Sequence, residues 1–429
     1  MSTLPEAFVA RMAQTLGEEL PAFLAAMDAP YQRGIRLNPL KPAQAPVAGL
    51  LEPVPWARTG YYLSNDATAG ALPLHEAGAY YLQEPSAMLP AAVLNAQPGE
   101  TVLDLCAAPG GKSTQLALQM AGRGLIVCNE PVGKRAAILA RNIERMGVTN
   151  ALVVSAMPDQ LAKKWPSGFD AIQVDAPCSG EGMFRRHPET RDEWSPESPA
   201  GCAKRQAEIL DAAAILVRPG GRIVYSTCTM NPIENEDTVA AFLMRHPDFS
   251  LTAFNLPGAS APDGMLTCYP HRMRGEGHFV ALLHRSGEGE ALLPPDKSLP
   301  RPDKALLKLY ADFARGPAAT HLLGDTLVHL PACPDVRGLK VLRCGLHLGA
   351  AKGKVFQPDH AWAVAADAPD FPRIPLDEAQ AALYQRGEVI PVADALRGWA
   401  LPTLHGLPLG WGKASGGMLK NHYPKGLRR

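Results

Sequence analysis

The chain is 429 residues long, which exceeds what one ordinary hydrophobic core supports, so two or three domains are expected. Hydrophobic residues make up 46% and charged residues 20%, a composition typical of a soluble globular protein. Lys plus Arg and Asp plus Glu both total 42, so no overall field attracts nucleic acid and any such binding must use local patches.

Cysteine usage and the apolar runs both indicate a cytoplasmic protein. The 8 cysteines form no C-x-x-C pair and have no metal-ligand spacing with the 12 histidines, which predicts free thiols and no metal site. The opening MSTLPEAFVARMAQTL carries acidic residues and lacks a long apolar run, so no signal peptide is predicted. Later apolar runs are broken by Pro, Gly or charge, which argues against a membrane-spanning helix and against a membrane partner.

The first part of the chain mixes helical and strand patterns. EAFVARMAQTLGEELPAFLAAM has apolar residues at helical spacing, and GIRLNPLK is typical of a short strand and a turn. GYYLS and AYYLQEPSAMLPAAVL then lead into the next region. We predict an N-terminal α+β accessory region over residues 1–75, with a role in RNA binding.

Residues 76–286 alternate short β-rich runs with helical patterns. The candidate strands are TVLDLC, LIVCNE, ALVVSA, FDAIQVDAP and GRIVYSTC, with KSTQLALQM, GKRAAILARNIERM and AEILDAAAILV as helices between them. This alternation predicts an α/β fold in which helices cover both faces of a doubly wound, mostly parallel sheet. SLTAF and HFVALLHR are expected to add two closing strands. Ligand sites of such sheets lie at the carboxyl ends of the strands.

The rest of the chain reads as a linker followed by a β-rich region. SGEGEALLPPDKSLPRPDK is rich in Pro and charge and predicts a linker over residues 287–305. The following residues 306–429 contain short strand patterns such as KVLRCGLHLG. The last acidic residue is Asp394, and the basic and aromatic residues beyond it favour a packed RNA-binding module over a free tail.

The motif DLCAAPGGKST, Asp104–Thr114, follows the first central strand and opens a helix. Gly110 and Gly111 let the backbone turn tightly and approach a ligand, and the helix N-terminus favours an anionic group. A phosphate-binding P-loop is excluded because Cys106 stands where that motif needs glycine. The next strand ends at Glu130, whose carboxylate can accept both ribose hydroxyls, so the pattern indicates a nucleoside cofactor.

Three motifs in this order, DLCAAPGGKST, DAPCSGEGMFR and YSTCTMNPIENE, resemble those of the NOL1/NOP2/Sun family of RNA cytosine-5 methyltransferases. The resemblance covers nearly the whole chain, since RGIRLNPLK, QEPSAMLPAAVL and the final GWGKASGGMLKNHYPKGLRR are similar to the N-terminal and PUA-like RNA-binding ends of bacterial members. It implies a class I methyltransferase core of Rossmann-like fold with S-adenosyl-L-methionine as cofactor. The cofactor-binding residues that it implies are Cys106, Ala107, Ala108, Pro109, Gly110, Gly111, Lys112, Glu130 and Asp175.

Two contacts in this predicted cofactor site stay open. Lys112 either pairs with the methionine carboxylate, which is favoured, or is a solvated residue of the first helical turn. The family has an acid just after the third strand, where VVSAMPDQL places Met157 and Pro158, with Asp159 slightly beyond. The residue that contacts the adenine is therefore not assigned.

Cytosine C5 is too weak a nucleophile to take a sulfonium methyl group unaided, and a thiolate that adds to C6 activates it. Cys178 and Cys228 both lie in loops after predicted strands, so the chemistry alone does not choose between them. DNA cytosine-5 enzymes attack with a Pro-Cys thiol, whereas the RNA enzymes that this chain resembles attack with a Thr-Cys thiol. The resemblance thus implies that Cys228 is the nucleophile, that Cys178 assists product release, and that Asp175 holds the amino edge of the cytosine.

RNA binding is expected from basic and aromatic residues near the active loop and at the chain's end. Because the chemistry approaches the face of the ring, the target base must be single-stranded or rotated out. The predicted RNA-binding residues are Arg36, Arg185, Arg186, Trp411, Lys413, Lys420, His422, Tyr423 and Lys425.

Our leading hypothesis is an enzyme that methylates C5 of a cytidine in 16S rRNA of the small ribosomal subunit through a covalent cysteine–C6 adduct. One alternative is a tRNA cytosine-5 methyltransferase, whose core motifs would be the same. The other is a non-catalytic rRNA-binding assembly factor, against which the presence of both cysteines and Asp175 argues.

Overall fold

The computed structural model describes residues 3–428, and Arg429, the last residue of the predicted basic end, lies outside the described residues. The N-terminal region consists of helices α1 (Glu6–Leu16), α2 (Leu20–Asp28) and α3 (Pro73–Glu76) and strands β1 (Arg33–Leu37), β2 (Leu50–Pro53), β3 (Gly60–Leu63) and β4 (Tyr80–Leu82). These strands form a sheet in the order β2-β3-β1-β4, with antiparallel pairing throughout. Within residues 3–428, no helix combines the length and the apolar composition needed to cross a membrane.

The central region is an α/β sandwich built on five parallel strands. Its strands are β5 (Thr101–Asp104), β6 (Leu125–Asn129), β7 (Ala151–Ser155), β8 (Phe169–Asp175) and β9 (Val217–Thr227). Its helices are α4 (Leu89–Leu94), α5 (Gly111–Gln119), α6 (Gly133–Arg145), α7 (Pro158–Lys164), α8 (Thr190–Glu193), α9 (Ser198–Leu216) and α10 (Glu236–Arg245). The parallel strands lie in the order β9-β8-β5-β6-β7, so the chain winds outward from β5 in both directions. The predicted doubly wound fold is confirmed.

Both faces of this sheet are buried, which explains the continuous apolar runs in the sequence. Leu103 and Val127 pack in one cluster, whereas their neighbours Val102 and Ile126 pack in another. Because successive side chains of a strand point to opposite faces, the two clusters are the two layers between sheet and helices.

Antiparallel strands close one edge of the sheet, as predicted. The additional strands are β10 (Phe249–Leu251), β11 (Phe254–Leu256), β12 (Ala259–Ala261), β13 (Met265–Cys268) and β14 (His278–Arg285). Strand β14 pairs with β9, and both β10 and β13 pair with β14. The segment SLTAF is divided between β10 and the start of β11, which forms a separate hairpin with β12.

The C-terminal region forms two further sheets and also extends the central one. Its strands are β15 (His321–Leu323), β16 (Thr326–His329), β17 (Lys340–Cys344), β18 (Leu346–Lys352), β19 (Val355–Pro358), β20 (Arg373–Pro375), β21 (Ile390–Pro391), β22 (Gly398–Leu404), β23 (Leu407–Pro408), β24 (Gly412–Ser415) and β25 (Met418–Asn421). Its helices are α11 (Lys304–Phe313), α12 (His360–Val364) and α13 (Glu378–Arg386). Strand β17 pairs antiparallel with β7, so the central sheet ends on a strand from the C-terminal region.

The turn from β17 into β18 requires glycine. Gly345 has φ +58°, and a Cβ there would lie 2.2 Å from the carbonyl oxygen of His329. The chain passes at this point from the central sheet into the sheet of β15, β16, β18 and β19. Two sheets of different regions are therefore joined by a single residue.

The predicted linker is packed against its neighbours along part of its length. The N–H of Asp296 donates to the carbonyl of Cys333 at 3.0 Å, and the N–H of Asp335 donates to the carbonyl of Pro294 at 2.7 Å. Leu293 and Leu299 pack against the central core. These contacts fix the middle of residues 287–305 to the loop before β17.

The predicted RNA contact of Arg36 is wrong, because this side chain is only 1% exposed. Its guanidinium donates to the carbonyl oxygen of Gly111 at 2.9 Å and to Oγ1 of Thr114 at 2.7 Å. Burial lowers the pKa of Arg36 to about 9. Arg36 instead attaches the N-terminal sheet to the first turn of α5.

Candidate active site

A cavity of about 750 Å³ opens at the carboxyl ends of the parallel strands. This is the edge at which doubly wound sheets hold their ligands. The residues that line it are Cys106, Ala108, Glu130, Pro131, Val132, Arg135, Met157, Pro158, Asp159, Asp175, Ala176, Pro177, Cys178, Arg205, Glu208, Ile209 and Cys228. The predicted nucleophile, the release cysteine, the acid and part of the cofactor loop thus share one cavity.

The loop between β5 and α5 forms one wall of the cavity. Its N–H at Ala107 donates to the carbonyl of Asn129 at 2.8 Å, and Oγ of Ser113 donates to Oδ2 of Asp104 at 2.6 Å. Gly110 has φ +114°, and a Cβ there would lie 3.2 Å from a methyl group of Leu139. The loop is therefore fixed from β6 and α6, and only glycine fits its turn.

Glu130 is placed to bind a diol. The residue is 3% exposed, yet it lines the cavity just beyond the end of β6. Its Oε1 accepts the N–H of Val132 at 2.9 Å, and its Oε2 lies 3.3 Å from Nη1 of Arg135. A carboxylate held in this way can accept two adjacent hydroxyl groups, so the site fits the ribose of S-adenosylmethionine.

Met157, Pro158 and Asp159 also line the cavity. They begin α7, next to the end of β7, where the sequence left the adenine contact unassigned. Asp159 is exposed and pairs with Lys163 at 3.0 Å. At this end of the cavity Met157 and Pro158 provide an apolar surface made of a thioether and a proline ring.

Asp175 lines the cavity and forms an ion pair with Lys112, which lies behind the lining residues. Nζ of Lys112 donates to Oδ2 of Asp175 at 2.8 Å, and Oγ of Ser226 donates to Oδ1 at 2.8 Å. Burial alone would raise the pKa of Asp175, but the charge of Lys112 and these hydrogen bonds hold it below its ordinary value. Asp175 is therefore ionised at neutral pH. Lys112 is 9% exposed, so it is not the solvated residue considered from the sequence.

The two predicted catalytic thiols are neighbours. Sγ of Cys178 lies 3.0 Å from Sγ of Cys228, and the N–H of Cys228 donates to Sγ of Cys178 at 3.3 Å. The hydrogen bond with Cys228, together with burial, raises the pKa of Cys178 well above that of a free thiol. Cys178 is therefore a neutral thiol at neutral pH.

Glu234 supports the loop after β8, a role that the sequence did not reveal. Its Oε2 accepts the N–H of Ser179 at 2.9 Å and Nε2 of Gln206 at 2.9 Å, and its Oε1 accepts the hydroxyl of Ser179. Burial raises the pKa of Glu234. The polar run NPIENE, which contains Glu234, was the signal in the sequence for a polar residue at this place.

Arg135 is a second residue whose place the sequence did not reveal. Its guanidinium donates to the carbonyl of Ala108 at 3.1 Å and faces Glu130. Arg135 lies at the start of the predicted helix GKRAAILARNIERM, where a charged side chain is typical of a solvent-facing position. The pairing joins α6 to the loop before α5, and no local pattern encodes it.

Three more of the predicted RNA contacts are wrong, because the side chains are enclosed by protein. Arg185 has a side chain that is 5% exposed, pairs with Glu276 at 2.7 Å and donates to the carbonyls of Ala26 and Gly275. Trp411 is 1% exposed, and its Nε1 donates to the carbonyl of Asp359 at 2.8 Å. Tyr423 is 3% exposed. A base or a phosphate cannot reach these side chains. Their contacts with other parts of the chain indicate that they stabilise the fold instead.

Other members of the predicted RNA-binding set remain accessible. His422 is half-buried, and its ring contacts that of Trp399 in a tilted arrangement, with ring centroids 4.5 Å apart and 57° between the ring planes. Nζ of Lys413 lies 5.7 Å from the centroid of the same tryptophan. Arg186, Lys413, Lys420 and Lys425 are exposed. We call Trp399, Lys413, Lys420 and His422 the C-terminal basic patch.

Comparison with known families accounts for almost the whole chain. Residues 91–284 match the family of 16S rRNA methyltransferase RsmB/F, and residues 4–85 match the N-terminal domain of 16S rRNA methyltransferase RsmF. Residues 308–365 match the first C-terminal domain of RsmF, and residues 371–429 match its PUA domain. The chain is 34% identical to ribosomal RNA small subunit methyltransferase F of Klebsiella pneumoniae, covering 99% of this chain and 96% of that protein. The chain belongs to the RsmF family.

Members of the RsmF family are RNA methyltransferases that use S-adenosylmethionine, so the predicted enzyme class and cofactor are confirmed. Solved structures agree on the fold. The crystal structure of PH0851 superposes with a TM-score of 0.60 at 30% identity and covers 66% of each chain. A methyltransferase homologue from Pyrococcus horikoshii superposes with a TM-score of 0.57 at 29% identity, covering 66% of this chain and 95% of its own. The predicted class I methyltransferase fold with a PUA-like end is confirmed.

Proposed function

We propose that this RsmF-family enzyme methylates C5 of a cytidine in small-subunit rRNA, in the cytoplasm, by covalent catalysis from Cys228. The observation that carries the proposal is the pair of thiols, 3.0 Å apart, in the cavity that also holds Asp175 and Glu130. Two cysteines beside an ionised carboxylate are more than cofactor binding requires. They suit a reaction in which one sulfur attacks a pyrimidine and another group helps to break the bond.

The cofactor would lie along the ends of β5, β6 and β7. Glu130 would accept the ribose hydroxyls, Met157 and Pro158 would contact the adenine, and the backbone of residues 106–111 would face the methionine end. S-adenosylmethionine, when bound, supplies an electrophilic methyl group. Cys106 lines this part of the cavity, and burial raises the pKa of its thiol well above that of a free cysteine, so it stays neutral there.

The pyrimidine chemistry belongs to Cys228. Its thiolate forms a bond to C6, and the electron pair of the C5–C6 double bond moves toward C5, which then acts as the nucleophile. After C5 has been methylated, its proton passes to a base such as water in the cavity, and the electron pair of that C–H bond restores the C5–C6 double bond. The C6–S bond breaks at the same time, and Cys228 leaves as a thiolate.

Asp175 and Cys178 assist at different stages of the cycle. The ionised carboxylate of Asp175 can accept a hydrogen bond from the cytosine amino group and so orient the ring for attack by Cys228. Cys178 keeps its proton beside Cys228, so it can hydrogen-bond to the departing sulfur and favour release. Lys112 acts as a positioning residue, because its ammonium group holds the Asp175 carboxylate.

RNA would be held by the C-terminal basic patch and by Arg186. Exposed Lys413 and Lys420 can contact phosphates, while Trp399 and His422 offer ring faces for unpaired bases. Exposed Lys425 can contribute a further phosphate contact. Binding through these groups would offset the few kcal/mol, on the order of 2–4, that rotating a base out of its stack costs.

Release of tritium from C5 tests this proposal. 16S rRNA labelled with [5-³H]cytidine would be incubated with enzyme and S-adenosylmethionine, and tritium in water would be measured. We expect release that depends on the cofactor and is abolished in Cys228→Ala, with Cys202→Ala as the matched control. Methylation without tritium release would show transfer to another atom, and release from labelled tRNA alone would show a tRNA enzyme.

A further inference from the structure

A second cluster of ligand-type side chains lies where the C-terminal region joins the central sheet. A carboxylate oxygen of Asp296, a ring nitrogen of His321 and Sγ of Cys333 all lie within 4.8 Å of one another, and all three residues are buried. Cys344, the last residue of β17, is also buried, and its Sγ lies 3.7 Å from Sγ of Cys333.

Two edges of the cluster have the lengths expected for a tetrahedral metal site, although Cys344 contacts Cys333 and is not in the group whose ligand atoms all lie within 4.8 Å of one another. With Zn–S bonds of about 2.3 Å, two thiolates of a tetrahedron lie about 3.8 Å apart. The Cys333–Cys344 distance of 3.7 Å agrees with this edge. Nε2 of His321 lies 3.3 Å from Oδ2 of Asp296, which matches the N–O edge of about 3.3 Å that Zn–N and Zn–O bonds of about 2.0 Å give.

The hydrogen bonding of the cluster leaves room for a cation. His321 is 3% exposed, and neither ring nitrogen has a hydrogen-bond partner among the described residues. A buried polar group without a partner is costly, and a metal bound at Nε2 would satisfy one of the two nitrogens. Oδ1 of Asp296 accepts the N–H and the hydroxyl of Ser298 at 2.9 and 2.6 Å, while Oδ2 accepts only a long bond, 3.2 Å, from Leu299. The carboxylate is thus fixed with Oδ2 toward His321.

We propose that Asp296, His321, Cys333 and Cys344 bind a structural Zn²⁺ ion. Two thiolates with one imidazole favour zinc over the oxygen-seeking cations Mg²⁺ and Ca²⁺. Asp296, His321 and Cys333 would hold the ion, and a shift of the Cys344 thiolate from its contact with Cys333 would supply the fourth ligand and leave no open position for a substrate.

The four ligands come from four separate segments of the chain. Asp296 lies in residues 287–305, His321 begins β15, Cys333 follows β16 and Cys344 ends β17. A bound ion would therefore fasten the predicted linker and the sheet of β15 to the edge strand of the methyltransferase sheet. The sequence predicted no metal site because no two Cys or His residues have the close spacing along the chain that is typical of metal ligands. Ligands that come from four separate segments do not show such spacing.

Metal analysis of the full-length protein tests the proposal. The chain would be produced with added zinc, dialysed without chelator and measured by inductively coupled plasma mass spectrometry. We expect about one zinc per chain, at least a five-fold loss in Cys333→Ala and His321→Ala, and no loss in Cys268→Ala, a buried cysteine on β13. The double variant Cys178→Ala/Cys228→Ala should also retain zinc, which separates this site from the active-site thiols.

Substitution with Co²⁺ supplies a readout that does not depend on a variant that folds. The wild-type protein with Co²⁺ should show the intense visible bands of tetrahedral coordination and thiolate-to-cobalt charge-transfer absorption. Wild-type protein that holds no zinc and gives no such spectrum would overturn the proposal. So would a Cys333–Cys344 disulfide in freshly purified protein, or zinc that is lost only when Cys178 and Cys228 are replaced.

Discussion

Cys178 and Cys228 are in contact but differ in what surrounds each sulfur. The backbone N–H of Cys228 donates to Sγ of Cys178, and Cys178 precedes a loop that Glu234 fixes through Ser179. Cys228 lines the cavity at the end of β9, opposite Asp175 on the neighbouring strand. Both thiols line the cavity, but only the sulfur of Cys178 accepts a backbone hydrogen bond from the other cysteine, so the surroundings of the two sulfurs differ as the proposed separate tasks require.

His278 makes folding stability depend on pH. Burial, with the charge of Lys112 nearby, lowers the pKa of His278 to about 3 from an unfolded value of 6.5. The neutral ring hydrogen-bonds with Oγ of Ser86 at 3.1 Å. Since the folded-state pKa is depressed, this stabilising contribution is complete above pH 6.5 and is lost as the pH falls toward 3.

We expect wild-type protein to lose about 1.4 kcal/mol of unfolding free energy per pH unit below pH 6.5, relative to His278→Asn. Urea unfolding at pH 7, 6 and 5 measures this difference, and the exposed His284→Asn serves as the control. Parallel pH profiles for wild type and His278→Asn would contradict the assignment.

At the scale of elements, the C-terminal basic patch is an accessible surface that we propose binds RNA. Lys413 lies on β24 and Lys420 on β25, and the two are directly paired in register. Neighbouring residues on adjacent strands that share a face can contact the same stretch of phosphate backbone. The buried Trp411 between them and the core supports this hairpin without touching solvent.

We expect Lys413→Ala/Lys420→Ala to weaken rRNA binding and to reduce the slope of log affinity against log salt by about 1.5, since each phosphate contact contributes about 0.7–0.9. Filter binding across a salt series measures both quantities. Lys304→Ala, an exposed lysine at the start of α11, should leave the slope unchanged. An unchanged slope in the double variant would remove this patch from the RNA-binding surface.

Elements were predictable where the pattern is local. The apolar runs of β5 to β9 and the glycines at 110 and 111 identify a parallel sheet and its ligand loop without any tertiary information. The pairing of β17 with β7 was not predictable, because it joins residues far apart in the chain. The burial of Arg36 and Trp411 was not predicted for the same reason. The sequence alone does not distinguish a basic or aromatic side chain that contacts RNA from one that is buried between two regions of the protein.

At the scale of the whole molecule, an ion pair joins the C-terminal region to the methyltransferase core. Nη1 of Arg343 on β17 lies 2.6 Å from Oε2 of Glu144 on α6, and the arginine side chain is 5% exposed. Lys41 of the N-terminal region also donates to the carbonyl of Val364 at 2.6 Å. Because these two contacts link the N-terminal region, the methyltransferase core and the C-terminal region, we expect the three regions to unfold together.

We expect Arg343→Met to lower the free energy of unfolding by about 3 kcal/mol, because it leaves the Glu144 carboxylate without its partner. Glu144→Gln in the same chain should restore part of that loss. The control is Arg337→Met, whose side chain is 68% exposed and whose loss should cost less than about 1 kcal/mol. Equal losses of unfolding free energy for the two arginine variants in urea unfolding would show that the buried Arg343–Glu144 pair stabilises the protein no more than an exposed pair does.

Covalent trapping on rRNA tests the central assignment, attack by Cys228, most directly. Cys178→Ala would be incubated with 16S rRNA and S-adenosylmethionine, run on a denaturing gel and mapped by mass spectrometry after nuclease and protease digestion. We predict a protein–RNA band that carries a methylated pyrimidine on Cys228 and that disappears in Cys178→Ala/Cys228→Ala. A stable adduct in Cys228→Ala, with the pyrimidine attached to Cys178, would contradict the account.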